Sequence, residues 1–166
     1  MWVLDTNVVL DLLHFDDPTA RPLRQALDDG RVRCVVTEAT LEEWRRVLAY
    51  PGFALDPAQQ AALFARYQAL SFKSDRAATA AGRPDKGMPL HDGLLSAPGG
   101  RPVWGRLPRC SDPDDQKFIE LASASGAQML VSKDRAVLKL RRRCAPHFCI
   151  MTPAEAVCGL AAAPAA

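Results

Sequence analysis

Two stretches place acids directly after short apolar runs: Trp2-Val3-Leu4 is followed by Asp5, Thr6 and Asn7, and Met129-Leu130-Val131 by Ser132, Lys133 and Asp134. Such a run suits a strand buried on both faces of a parallel sheet. An acid at its end then sits at the carboxyl edge, where open α/β folds form their ligand crevice. Between these stretches, Cys110-Ser111-Asp112-Pro113-Asp114-Asp115-Gln116-Lys117-Phe118-Ile119 opens a helix with further acids. Asp115 shares a helical side with Phe118, Ile119 and Ala122, so it should face the sheet. Glu43 lies near the Trp44 and Val47 side of its own helix, within reach of the same edge. Asp5, Glu43, Asp115 and Asp134 are therefore expected to converge.

Carboxylates brought together repel and raise one another's pKa, so a cluster of this kind is unfavourable unless a cation neutralises it. An all-oxygen set suits Mg²⁺ or Mn²⁺, and the chain lacks the clustered His and Cys spacings that zinc requires. One or two such ions can activate a water and stabilise a leaving oxygen, the arrangement used for phosphodiester hydrolysis. The residues alone thus point to a metal-dependent nuclease. Ordinary structural roles compete with this reading. Asp5 or Thr6 could cap a helix running through Asn7 to Leu13. Asp112 and Asp115 could serve as N-cap and first-turn acid of theirs, a role preferred for Asp112 over a site role and for Asp115 not. Glu38 and Glu42 compete with Glu43, but their helical angles fit the buried side less well.

The elements that must position these acids alternate along the chain. After the first strand and helix comes a loop over Asp16 to Ala20, then a short helix from Pro22 to Asp29 stopped by Gly30. A strand over Arg31 to Val36 follows. Thr37 is placed to cap a helix whose Leu41, Trp44, Val47 and Leu48 share one face and which Tyr50-Pro51-Gly52 ends. Asp56-Pro57-Ala58-Gln59 has the form of a capping box, predicting a helix to about Leu70 with Leu63, Phe64, Tyr67 and Leu70 as its buried stripe. From Ser71 to Arg109 periodicity gives way to glycine and proline, which reads as a loop-rich insertion in the same domain. Beyond it, a helix should run from Asp112 to about Ser125, a strand from Ala127 to Ser132, a short helix from Asp134 to Arg142 and a strand from Phe148 to Met151. Thr152-Pro153-Ala154-Glu155 is a capping box for a closing helix to about Leu160, with 161–166 a frayed tail. Strands alternating with helices predict a parallel sheet covered on both faces, in one domain over residues 1–160.

Composition bounds the remaining options. A chain of 166 residues with 48% hydrophobic content is one domain's worth of core. Its formal net charge of +2 is too small to announce a nucleic-acid binder by itself. Five cysteines without a C-x-x-C pair suit a reducing compartment better than a disulfide framework. No charged leader precedes the apolar start, and no run approaches the roughly 20 apolar residues of a membrane span, so the chain reads as cytosolic and without a membrane.

Val3-Leu4-Asp5-Thr6-Asn7, Glu43 within Leu41-Glu42-Glu43-Trp44-Arg45-Arg46-Val47-Leu48, Asp112-Pro113-Asp114-Asp115-Gln116-Lys117-Phe118 and Leu130-Val131-Ser132-Lys133-Asp134 together resemble the PIN-domain ribonucleases. The resemblance covers nearly the whole chain outside Ser71 to Arg109. It is nearest to the branch of VapC-like toxin components of toxin–antitoxin pairs, which the closing Thr152-Pro153-Ala154-Glu155 also resembles. It implies a three-layer α/β/α fold with strand order 3-2-1-4-5, a Mg²⁺ or Mn²⁺ site and single-stranded RNA as substrate. By matching position it gives Asp5, Glu43, Asp115 and Asp134 the acidic roles, with Asn7 and Ser132 as supporting polar groups and Asp112 as an extra acid. It further suggests a cognate antitoxin and a homodimer mate as partners. A catalytically silent PIN-like module that binds RNA or protein is the alternative.

The basic residues Lys133, Arg135, Lys139, Arg141, Arg142 and Arg143 follow Asp134 closely. A phosphate backbone passing the acidic edge could use them, although Arg141 to Arg143 also sit where a helix C-terminus favours cations. Cys144, His147 and Cys149 are too few and too close for a closed metal site. The His91-Asp92 pair in the insertion is more simply read as loop.

Overall fold

The computed structural model describes residues 1–74 and 107–162. Five three-residue strands form one all-parallel sheet: β1 (Trp2–Leu4), β2 (Cys34–Val36), β3 (Ser71–Lys73), β4 (Met129–Val131) and β5 (Cys149–Met151). Their order is β3-β2-β1-β4-β5, with Leu4 in register with Val131 and Val131 with Met151. The chain runs from β1 outward to β2 and β3, then returns to the other side of β1 to build β4 and β5. The carboxyl edge between β1 and β4 is therefore the switch point, where such sheets open a crevice.

Alternation along the strands sorts the core into two layers. Val3, Val35, Leu130 and Ile150 point to one face, against Phe118, Ile119, Leu121 and Ala122 of α5 (Gln116–Ala124), Val137 of α6 (Arg135–Leu138) and Cys144 of α7 (Arg141–Cys144). Leu4, Cys34, Val36 and Val131 point to the other. That face is covered by α1 (Thr6–Leu13), α2 (Arg21–Asp28), α3 (Glu38–Leu48), α4 (Pro57–Leu70) and α8 (Pro153–Ala162). The result is the expected three-layer α/β/α arrangement. Among the described residues no helix is long and apolar enough to cross a membrane.

The helix starts follow their capping chemistry. Thr37 and Thr40 close a capping box on α3, and Asp56 and Gln59 close one on α4. Glu155 accepts from the backbone N–H of Thr152 while the Thr152 hydroxyl accepts from the N–H of Glu155. On α3, Leu41, Trp44 and Leu48 are buried, and the Trp44 ring meets Tyr67 of α4 edge-on at 5.9 Å. Tyr67 is the buried member of the α4 stripe; Leu63, Phe64 and Leu70 are only partly covered.

Several boundaries differ from the sequence-based expectation. The third strand, Ser71–Lys73, occupies the start of what the pattern presents as insertion. Its single apolar residue, Phe72, is 52% exposed, because an edge strand needs no apolar alternation to pair through its backbone. Residues 75–106, with His91 and Asp92, lie outside the described residues. The helix expected from Asp112 begins at Gln116 instead, since Asp112 Oδ1 accepts from Asp114 N–H at 2.9 Å and holds a turn. The single helix expected from Asp134 to Arg142 is two short ones, and α8 continues to Ala162, into the stretch expected to fray.

Candidate metal centre

Three of the four acids stand at helix starts that abut the carboxyl edge. Asp5 ends β1 and occupies the N-cap position of α1, yet its side chain makes no cap bond. Instead its Oδ2 accepts the Ser132 hydroxyl at 2.5 Å and the Asn7 amide at 3.2 Å. Ser132 Oγ in turn accepts the backbone N–H of Asp134 at 2.9 Å. This one buried hydroxyl, 0% exposed with its residue, ties the end of β1 to the loop after β4. Ser132→Ala removes both bonds and leaves a partly buried N–H unpaired, so the protein should lose about 1–3 kcal/mol of stability, measurable as a lower urea midpoint with unchanged slope.

Asp115 precedes α5 and likewise makes no side-chain cap bond. Asp134 does cap: its Oδ1 accepts the N–H of Ala136 at 2.5 Å. Glu43 reaches the edge from α3, where its Oε1 accepts the Thr6 hydroxyl at 2.8 Å and Lys117 forms an ion pair with its Oε2. The competing acids face away, Glu38 toward Lys73 at 2.6 Å and Glu42 toward Arg45 at 2.7 Å.

Asp5 and Asp115 are raised in part by the charges of the other acids. Burial pushes Asp5 above its ordinary pKa; the Ser132 bond opposes that shift, while the charges of Glu43 and Asp134 add to it. Asp115 is pushed up to about 7, first by burial and then by Asp5, Asp134, Asp112 and Glu43. A carboxyl group in that position is half protonated near neutrality unless a cation offsets its neighbours. The donor set fits a hard divalent cation, being all oxygen, and the buried Oδ1 of Asn7, beside Asp5, has no hydrogen-bond partner. Among the described residues no three acids, histidines or cysteines are grouped tightly enough to hold an ion as they stand.

Three further residues make pairings that the sequence reading did not assign. Thr6 is legible only as a cap, and Lys117 only as a cation among acids. Asp11, 7% exposed inside α1, pairs with Lys133 at 2.6 Å; an acid within the apolar run Val8 to Leu13 was the available signal. Of the basic residues, Arg141 is engaged by Glu155, which the Thr152 backbone amide and this guanidinium together hold down to about 2. Arg135 and Lys139 are exposed, as are Arg142 and Arg143. Cys144 is buried in the core and Cys149 is exposed, so they do not join His147 in a site.

A parallel sheet wound both ways, with Asp5, Asp115 and Asp134 at helix starts along its carboxyl edge and Glu43 reaching it from α3, defines an α/β protein whose carboxyl edge is acidic. Residues 2–136 match the family model of the PIN domain, a span that includes all four acids, and the chain belongs to the PIN-domain family. No curated protein and no solved structure matches it. PIN domains are nucleases and generally metal-dependent ones, so the coarse functional class is nuclease-type.

Proposed function

We propose that this chain is a Mg²⁺- or Mn²⁺-dependent endoribonuclease acting on single-stranded RNA. The observation that carries the reading is the placement of Asp5, Asp115 and Asp134 at helix starts on the carboxyl edge, with Ser132 bonded to Asp5 and to the Asp134 amide and Glu43 bonded to Thr6 beside Asp5. Asp5, Asp115 and Asp134 would hold the metal, and Glu43 either metal or water. A bound divalent ion supplies an activated water and charge stabilisation at the leaving oxygen. Ser132 and Asn7 orient Asp5 through the bonds described above, and Asp112, exposed in its turn, contributes charge. The exposed Arg135 and Lys139 lie one and five residues beyond Asp134 and suit a phosphate backbone.

Within this class we read the protein as the toxin component of a toxin–antitoxin pair, with an antitoxin protein as partner. The support is the likeness of the Val3 to Asn7 and Thr152 to Glu155 stretches to that branch. All five cysteines are free, which favours a reducing, cytoplasmic setting. One observation favours the silent-module reading: both Glu43 oxygens already have partners, Thr6 and Lys117. The two readings separate in one assay. Single-stranded RNA incubated with the purified protein should be cut in Mg²⁺ or Mn²⁺ and left intact in EDTA; binding without cleavage in either ion would establish the silent module.

A further inference from the structure

The ion pair between Lys117 and Glu43 lies inside the acidic centre and has no role in the proposed reaction. Both side chains are largely withdrawn from solvent, 22% and 18% exposed. Glu43 Oε2 is buried and makes no other hydrogen bond among the described residues. Its Oε1 is held by Thr6, so Glu43 has no unengaged oxygen aimed at the crevice. Lys117 comes from α5, two residues after Asp115, and its ammonium lies 5.4 Å from the centroid of the Phe118 ring. Both partners of that ring contact lie on α5.

We propose that Lys117 is the resident counter-ion of this centre: its ammonium neutralises Glu43 in the metal-free protein and must yield Oε2 before a divalent ion can use that carboxylate. The inference rests on the metal-dependent reading of the site. The physical basis is that a largely buried carboxylate is costly unless paired, and two cations cannot share one oxygen without repelling each other. Lys117 is thus a positioning residue that ties α5 to α3 through Glu43, and its attraction to that carboxylate weakens metal uptake.

Calorimetric Mn²⁺ titration and metal-free melting of wild type, Lys117→Met and Lys117→Arg test this. Lys117→Met should melt lower without metal yet bind Mn²⁺ about tenfold tighter, because the competing charge is gone; Lys117→Arg should behave as wild type in both. Wild-type protein supplies a second measurement should the methionine variant fail to fold. Reductive methylation of Lys117, followed by peptide mass spectrometry, should speed up several-fold when Mn²⁺ frees the amine. Unchanged or weaker Mn²⁺ binding by Lys117→Met, or unchanged methylation of wild type at saturating Mn²⁺, overturns the counter-ion role and leaves the metal-dependent reading standing. Absence of Mn²⁺ binding in wild type and variants alike overturns that reading and the inference with it. Binding by Lys117→Met alone supports the inference in its strongest form.

Discussion

Asp5→Asn should lower the rate of single-stranded RNA cleavage by about a hundred- to a thousandfold, the scale on which removing one preorganised charge-stabilising group acts. The substitution is close to isosteric. The remaining carbonyl oxygen can still accept from Ser132 Oγ and Asn7 Nδ2, the two bonds that Asp5 Oδ2 now accepts. What disappears is the negative charge, at a residue 3% exposed and coupled to Glu43 and Asp134. The folded protein should therefore survive with a melting temperature equal to or above that of wild type, since burial and like charges both disfavour the ionised form. Single-turnover cleavage at saturating Mn²⁺, with the melting temperature as control, is the measurement. Equal rates for mutant and wild type would remove Asp5 from the centre and with it the nuclease reading.

The second large effect is one of stability and its dependence on pH. Asp115 sits at about 7 in the folded protein against 3.8 ordinarily. The folded state therefore binds more protons than the unfolded state between those values, and stability from this group is full below about 4 and lost as pH rises through 7. Discounted for its partial exposure, the loss should be about 1–2 kcal/mol. Asp115→Asn removes that slope, so the metal-free mutant should melt higher than wild type at pH 7.5 and near it at pH 4. The order reverses on adding metal. Mn²⁺ binds only the folded arrangement and should stabilise wild type by about 2.7 kcal/mol at a hundredfold excess over its dissociation constant, whereas the mutant should lose much of that gain. Were Asp115 simply a helix cap, the mutant would melt lower without metal and respond to Mn²⁺ as wild type does. The absence of any side-chain cap bond at Asp115 is why that outcome is not expected.

The amino-acid sequence by itself determined most of the frame. The short apolar runs Trp2-Val3-Leu4 and Met129-Leu130-Val131 suit strands buried on both faces, and the capping boxes at Asp56 and Thr152 locate their helices by short-range hydrogen bonding. Placing Asp5 and Asp134 at one edge needed only the alternation of strand and helix, because a parallel sheet aligns all its strand ends. Local pattern failed where backbone pairing or an exposed turn decides the outcome. Ser71–Lys73 joins the sheet with Phe72 in solvent, and the turn held by Asp112 delays α5 to Gln116. Which of Glu38, Glu42 and Glu43 faces the edge was suggested by helical angle, but Thr6 engages Glu43 from 37 positions away. The Ser132 hydroxyl meets Asp5 across 127 positions. Lys117 on Glu43, Lys133 on Asp11 and Arg141 on Glu155 are likewise choices among several cations near several acids. Periodicity records which face of an element is buried, and it carries no information about which charged tips meet once the layers stack. Only the tertiary structure decided those pairings, because they depend on distances between elements that the sheet order sets.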